Sequence, residues 1–456
     1  MEIIKDINTN IFRAYDIRGE YPTFINEDIA YTIGLGYGSY IKEHGEKECV
    51  IGYDNRLSSK TLFEALTKGI LETGINITNI GLVTTPIVYF ARICLKVPAS
   101  IMITASHNPK NENGFKISFD SSGSARETQI KEFAKYVNVA NFKKGTGVMI
   151  TKNIKDSYIA ALIKDVQLPK RLKVVLDCGN GTTSVIIKEV FANLNIDVDY
   201  LFATSDGNFP NHHPDPCVEE NMQALSNRVQ ELKADIGIGF DGDGDRIGIV
   251  DNEGHFVSAD FFSTLFVKDI LKNNPDRVIV GDIKCTRALK DVALASGGEY
   301  VECRTGAPFM AGAIKENNAI FGAEYSGHIY FNDRFWPITS SMYSALRLIE
   351  ILSKENKNVK DLLKEIPSYY KTWEIRIPTT DDLKFKIVGE IEKYAQGKGL
   401  TISKIDGIKI LYLNSWALVR ASNTGPNLTL MFESTDEKEL LEIKNEYLNL
   451  VNLYNK

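Results

Sequence analysis

The 456-residue sequence predicts an α/β protein: three repeated α/β domains with mixed sheets and a C-terminal α+β domain, arranged around a central active-site cleft. Three observations lead there. The length suggests three or four domains at roughly 100 to 200 residues each. A short buried strand ending in aspartate, then a helix and a second strand, is written three times, which implies parallel or mixed sheets with right-handed crossovers. Each time the unit runs on through another helix to an apolar strand, a polar loop and a further apolar strand, and α/β sheets gather ligand sites at strand ends.

In chain order, Ile11 to Gly19 reads as a short strand-like piece breaking into a glycine turn. Val50 to Asp54 is the first buried strand, Ser58 a candidate cap for the helix Thr61 to Leu71, and Ile77 to Val83 the second strand, ending at Thr84-Thr85-Pro86. The second unit has the strand Val174 to Asp177, a Gly179-Asn180-Gly181 turn, a helix around Val185 to Phe191 and a strand at Val198 to Phe202. The third has Val278 to Asp282, a helix around Arg287 to Val292 and a strand near Glu299 to Cys303. Beyond Lys371 the pattern changes. Trp373 to Pro378, Gly407 to Tyr412, Trp416 to Arg420 and Leu428 to Phe432 read as strands, Phe385 to Ile391 and Glu437 to Tyr447 as helices. The expected domains are 1–150, 151–255, 256–370 and 371–456.

Composition narrows the class. Hydrophobic content of 43% with 25% charged residues excludes disordered and fibrous chains. A net charge of −6 gives no footprint for nucleic acid. Six scattered cysteines show no zinc spacing and suit a reducing compartment. No signal-peptide pattern and no bilayer-length apolar run occur, so the expected location is cytoplasmic, away from membranes.

Four loops carry the chemistry. In Thr104-Ala105-Ser106-His107-Asn108-Pro109 an apolar run stops at a serine, and Pro109 forbids a regular continuation, so Ser106 is expected at a loop tip. Asp241, Asp243 and Asp245 alternate with glycines. Three carboxylates so close repel unless a cation joins them, and oxygen ligands suit Mg²⁺ or another hard ion. An EF-hand is excluded, because Arg246 stands where glycine is required and Asn252 where glutamate is. Glu324, Ser326 and His328 combine an acceptor, a hydroxyl and a titratable ring fit to read neighbouring sugar hydroxyls. Arg420, Ser422, Asn423 and Thr424 offer an arginine fork, hydroxyls and an amide that can surround a phosphate. Taken singly, each loop is also compatible with a capped or solvated turn. His212 and His213 lie among prolines without a third ligand and read as structural.

Thr-Ala-Ser-His-Asn-Pro resembles the phosphoserine loop of the α-D-phosphohexomutases, in the phosphomannomutase/phosphoglucomutase branch. The resemblance extends from Phe12 to Phe432, with all four loops in order. It implies that Ser106 carries the transferred phosphoryl group, and that Asp241, Asp243 and Asp245 hold Mg²⁺ together with an oxygen on Ser106. His107 and Arg246 then stabilise the phosphate. Arg18 and Tyr15 belong near the serine, in a segment similar to an N-terminal family signature. Lys116 matches a lysine with a proposed proton-transfer role, and His328 is the other candidate. Lys284 and Arg287 are implied on the phosphosugar, Glu324, Ser326 and His328 on its hydroxyls, and Arg420, Ser422, Asn423 and Thr424 on its phosphate in a closing lid.

Three departures stand out. Tyr325 replaces a methionine in the sugar loop, Ala307-Pro308 follows Thr305-Gly306 where the family commonly has histidine, and Thr339-Ser340-Ser341 replaces Asp-Asp-Gly. The last can still cap the following helix. The implied activity is interconversion of hexose 1- and 6-phosphates of glucose, mannose or both, through a phosphoserine enzyme and a hexose 1,6-bisphosphate, which also serves as activator. Phosphoglucosamine or phosphopentose mutation, a metal-dependent phosphatase and a non-catalytic phosphosugar-binding regulator are the alternatives. The expected partner is a small phosphosugar, with monomer and homodimer both open.

Overall fold

The computed structural model describes residues 1–422 and 425–455. The chain divides into two compact units, Met1–Ala259 with Ser326–Lys360, and Asp260–Tyr325 with Asp361–Lys456.

The first unit holds two sheets. One runs Ile17–Glu20, Glu112–Ser118, Ser100–Ile103, Glu48–Tyr53, Asn76–Leu82, Met149–Thr151 across its width. Its last four strands are mutually parallel and the first two join antiparallel, giving a mixed sheet. The other runs Phe256–Val257, Ile247–Val250, Ile236–Phe240, Leu172–Asp177, Ile196–Leu201, again with a parallel centre and an antiparallel edge. The repeat is thus real in topology. In both sheets the aspartate-ending strand lies between the strand that follows it and the strand that leads into the polar loop. Apolar side chains of helices Glu27–Glu43 and Ser59–Leu71 close the first core. These helices touch backbone to backbone: a Cβ on Gly34 would fall 2.2 Å from the Leu66 carbonyl oxygen and one on Gly69 2.3 Å from that of Tyr31, so both positions require glycine.

In the second unit the strands Glu299–Cys303, Val278–Asp282 and Phe321–Ala323 repeat that order, all parallel. The tail forms an antiparallel sheet of Tyr370–Lys371, Ile375–Pro378, Asn427–Ser434, Ser415–Ala421, Ile408–Leu411 and Thr401–Ser403. Apolar residues of helices Asp381–Gly397 and Glu437–Tyr454 pack on it as one core.

The strand-end aspartates share a local device. Asp54, Asp177 and Asp282 are all buried, and each accepts the backbone N–H two residues on, from Arg56, Gly179 and Lys284. A carboxylate that ends a strand this way stops the ladder and turns the chain into its loop.

Several local expectations are corrected. Gly19 lies inside a strand, not in a turn. Ser58 stands at the helix N-terminus but makes no side-chain cap; its hydroxyl accepts from Asn113 instead. The Val185 to Phe191 helix is broken into a 3-10 turn, Thr182–Val185, and a short α-helix, Ile187–Phe191. The β-branched run Val185-Ile186-Ile187 favours helix weakly, and Thr182 is tied by its N–H to the Gly242 carbonyl. Thr401–Ser403 was not foreseen as a strand. Among the described residues no helix is long and apolar enough to cross a membrane.

Candidate active site

Ser106 lies between the strands Ser100–Ile103 and Glu112–Ser118, on a loop as expected, but it is buried and not at an exposed tip. Its backbone is left-handed, φ 55°, a strained choice for a residue with a Cβ. The Ser106 N–H donates to Thr104 Oγ1 at 2.8 Å, and the hydroxyl donates to Asp241 Oδ2 at 2.9 Å. The His107 ring reaches the same hydroxyl, Nδ1 to Oγ 3.4 Å. Burial, with Arg246 and Arg18 nearby, lowers His107 well below the ordinary histidine range, so the ring is neutral. Arg18 donates through Nη1 to the Ala105 carbonyl at 3.2 Å and Asn108 Oδ1 at 2.9 Å, and is itself held by Asp16 at 2.7 Å. Tyr15 is half-buried within electrostatic reach of Arg18. The short N-terminal strand thereby delivers a cation to the serine loop.

The acidic loop turns between Ile236–Phe240 and Ile247–Val250. All three aspartates are buried, and one ligand oxygen from each lies within 4.8 Å of the others. Asp241 Oδ1 accepts the N–H groups of Asp245 and Arg246 at 3.0 and 3.1 Å, which fixes the turn. Gly242 is necessary for the approach of the two loops, because a Cβ there would meet the Ser106 carbonyl oxygen at 2.6 Å. Lys116 is not the exposed lysine that its type alone suggests. It projects from the strand Glu112–Ser118 and bridges Asp243 and Asp245 at 2.7 and 2.6 Å. Burial disfavours its charge, but the two carboxylates outweigh this and raise its pKa above the ordinary lysine value.

The set fits a hard cation. Burial and the charges of Asp243 and Asp245 push Asp241 well above the usual carboxylate range, against the opposing pull of Arg246 and Lys116. Asp243 Oδ1 is buried and finds no donor among the described residues. Both observations mark room for positive charge with oxygen-only ligands.

Around the triad, His328 Nε2 lies 3.2 Å from Asp245 Oδ1 and 3.4 Å from Arg246 Nε, and His328 Nδ1 shares a hydrogen bond of 3.1 Å with the Ser326 hydroxyl. The first unit therefore brings together Ser106, His107, Arg18, Tyr15, Lys116, the three aspartates, Arg246, Ser326 and His328. Thr339-Ser340-Ser341 supports it from below. Ser340 caps the helix Ser341–Lys354 by accepting from the Tyr343 N–H at 3.1 Å, as anticipated, and the Ser341 hydroxyl donates to the Gly244 carbonyl of the acidic loop at 2.6 Å.

The second unit gathers another set. Glu324 is buried and accepts the Gly306 N–H at 3.2 Å. Arg420 is buried against Asp406, Nε to Oδ2 3.0 Å and Nη2 to Oδ2 2.9 Å, and Asp406 also accepts the Thr305 N–H at 3.2 Å. Lys284 is paired to Glu374 at 2.9 Å, and its ammonium lies 5.1 Å from the Tyr325 ring centre. Ser422 is buried and its carbonyl accepts from Lys384 at 3.0 Å. Asn423 and Thr424 lie outside the described residues. Arg287 departs from expectation. Its guanidinium turns along its own helix to Asp291, 3.4 Å away, and over the Tyr369 ring, an i,i+4 pairing that keeps it off the Lys284 set.

Sequence reasoning missed three supporting groups. Thr85 donates its hydroxyl to Asp243 Oδ2 at 2.5 Å and its N–H to the Asp243 carbonyl at 2.8 Å. Asp406 and Glu374 orient Arg420 and Lys284. In the sequence Thr85 reads only as a strand end, and an Asp-Gly turn or an isolated glutamate signals no partner. The His212 ring places Nε2 on Asp177 and Nδ1 on the His213 carbonyl.

Repeated α/β units bring a buried serine hydroxyl onto one carboxylate of an acidic triad fit to hold a hard cation. Family models for phosphoglucomutase/phosphomannomutase match in succession: alpha/beta/alpha domain I over residues 9–151, domain II over 156–254, domain III over 258–370 and the C-terminal domain over 356–450. A phosphomannomutase/phosphoglucomutase of Pseudomonas syringae pv. tomato is 42% identical over 434 residues, 95% of this chain and 93% of the relative. A phosphoglucomutase of Neisseria gonorrhoeae is 35% identical over 445 residues, 97% of this chain and 96% of the relative. The crystal structure of a phosphoglucomutase/phosphomannomutase family protein from Burkholderia thailandensis superposes with a TM-score of 0.92 at 33% identity, covering 98% of each chain. The chain belongs to the phosphoglucomutase/phosphomannomutase family of α-D-phosphohexomutases.

Proposed function

We propose that this chain is an isomerase that interconverts hexose 1-phosphate and hexose 6-phosphate, of glucose and mannose, through phospho-Ser106 and a hexose 1,6-bisphosphate. The observation that carries the reading is the Ser106 hydroxyl 2.9 Å from Asp241, inside a buried acidic triad. Relatives bearing both sugar names support the substrate class. Asp241, Asp243, Asp245 and the phosphate on Ser106 would hold Mg²⁺, which supplies positive charge against the transferring phosphoryl group.

The protein's own groups do the rest. The bond between phosphorus and Ser106 Oγ breaks as the sugar hydroxyl oxygen bonds to phosphorus; the hydroxyl proton passes to a base and the departing Ser106 Oγ takes up a proton. Arg18, Arg246 and His107 line the serine and donate to phosphate oxygens. Lys116, whose ammonium leaves Asp243 and Asp245 when their oxygens take the ion, is the cation and proton donor beside the serine. His328, oriented by the Ser326 hydroxyl, is the candidate base. The bisphosphate turns over and returns its other phosphate to Ser106, and the same bisphosphate restores enzyme that has lost its phosphate. Glu324, Ser326 and Lys284 read the sugar. Arg420 and Ser422, with Asn423 and Thr424, grip whichever phosphate is not reacting. Domains near 1–150, 151–255, 256–370 and 371–456 would each contribute one loop.

Incubation with glucose 1-phosphate, mannose 1-phosphate, glucosamine 1-phosphate and ribose 1-phosphate, each with Mg²⁺ and a trace of glucose 1,6-bisphosphate, tests this by phosphorus NMR. Conversion of the first two to 6-phosphates supports the reading. Preference for the amino sugar or the pentose would reassign the substrate, and release of inorganic phosphate would mark a phosphatase.

A further inference from the structure

Arg56, which has no part in the reading above, is buried at the end of the first unit's central strand. Its guanidinium donates to four backbone carbonyls of the serine loop: through Nη2 to Ser106 at 2.8 Å and Asn108 at 2.6 Å, and through Nη1 to Pro109 at 2.5 Å and Glu112 at 3.0 Å. Asp54 anchors it from behind, Oδ2 to Nε 3.3 Å, and is itself fixed by the Arg56 N–H and the Ser59 hydroxyl. The front is covered by Asp206–Phe209. The Phe209 ring centre lies 5.4 Å from the guanidinium carbon, and Gly207 packs so closely that a Cβ would meet the Asn55 carbonyl oxygen at 2.2 Å.

We propose that Arg56 is a positioning residue for phosphoryl transfer, holding the backbone of Ser106 to Glu112 so that the Ser106 hydroxyl stands at the acidic triad. Ser106 has a left-handed φ of 55°, which relaxes unless its surroundings over-determine it. The donor to its carbonyl and the Thr104 hydroxyl on its N–H hold that peptide from both sides. Four carbonyls turned toward one side chain leave the hydroxyl to face Asp241. Only a planar fork with five N–H donors spans two carbonyls on each side; an ammonium is a point with three. Arg56 acts through Ser106 and touches neither sugar nor phosphate in this role.

The proposal rests on Ser106 being the phosphoryl carrier, and the test separates the two. Wild type, Arg56→Lys and Asp54→Asn are charged with glucose 1,6-bisphosphate, Ser106 phosphorylation is followed by intact mass, and kcat and KM for glucose 1-phosphate are measured with melting temperatures. In Arg56→Lys, the rate of Ser106 phosphorylation and kcat per phosphorylated site each fall at least tenfold while KM stays within about threefold. A merely structural role would lower the melting temperature and leave kcat per phosphorylated site unchanged, and that result overturns the proposal. If Arg56→Lys does not fold, Asp54→Asn decides: it keeps the fork but removes its anchor, and an unchanged kcat there overturns the proposal equally. Wild type that takes no phosphate on Ser106 refutes the parent reading and this one with it.

Discussion

Removing Lys116 should make the protein depend on metal for its stability. Its ammonium touches Asp243 and Asp245 at 2.7 and 2.6 Å, with the carboxylates fully enclosed. At an effective dielectric of about 20 each contact carries about 6 kcal/mol of gross attraction, before desolvation. The net loss on deleting one member of such a buried set is smaller, about 3–5 kcal/mol, most of it the cost of leaving carboxylates unpaired. Lys116→Met should therefore melt about 5–10 °C below wild type without divalent cations. Mg²⁺ should then raise its melting temperature more than that of wild type, because in wild type the ion must displace Lys116. A site about tenfold tighter gives about 1.4 kcal/mol of extra stabilisation at saturating metal. Turnover should drop by about 100-fold or more, as for loss of a proton-transfer group. Scanning calorimetry with EDTA and with MgCl₂ reads both effects. Equal melting without metal, or an equal shift on adding it, would refute the argument that the lysine balances the triad.

Other perturbations follow from the same geometry. Burial alone would push Glu374 up, but Lys284 and Arg376 hold it down to about 2 against an ordinary 4.5. A depressed folded value stabilises above the unfolded one and is lost as pH falls toward 2, an effect of up to about 3 kcal/mol. The melting gap between wild type and Glu374→Gln should therefore be full at pH 7 and close between pH 4.5 and 2; a gap independent of pH contradicts the ion pair. Asp406→Asn should leave Arg420 misaligned and raise KM for hexose 1-phosphate about tenfold, about 1.4 kcal/mol, with kcat changed by less than about threefold; an unchanged KM would show that Arg420 needs no anchor. Ser340→Ala removes the cap of the helix Ser341–Lys354 and should cost about 1 kcal/mol in denaturant titration. Undiminished stability would mean that the neighbouring hydroxyls replace it.

The sequence was most informative where chemistry and periodicity coincide. Strands such as Val278–Asp282 and Ile329–Phe331 are short apolar runs closed by turn residues, and Asp241, Asp243 and Asp245 are too concentrated to be incidental. What stayed hidden were relations across the chain. Nothing near Thr85 names Asp243 as its partner, and nothing near Arg56 points to the carbonyls of Ser106 and Glu112, since backbone acceptors leave no trace in residue type. Arg287 was assigned from a neighbouring motif, whereas the local i,i+4 contact with Asp291 directs its head. The break at Ile186 similarly depends on where Thr182 is tied, a tertiary fact.

In the proposed mechanism Ser106 carries the phosphoryl group that moves between sugar positions. Protein charged with glucose 1,6-bisphosphate labelled with ³²P and then chased with unlabelled glucose 1-phosphate tests it most directly, with Ser106→Ala alongside. Wild-type protein should carry one labelled serine and lose that label into hexose bisphosphate and 6-phosphate at a rate matching turnover, and Ser106→Ala should show neither label nor turnover. Turnover by Ser106→Ala at a wild-type rate, or label that stays on the protein through many turnovers, would contradict it.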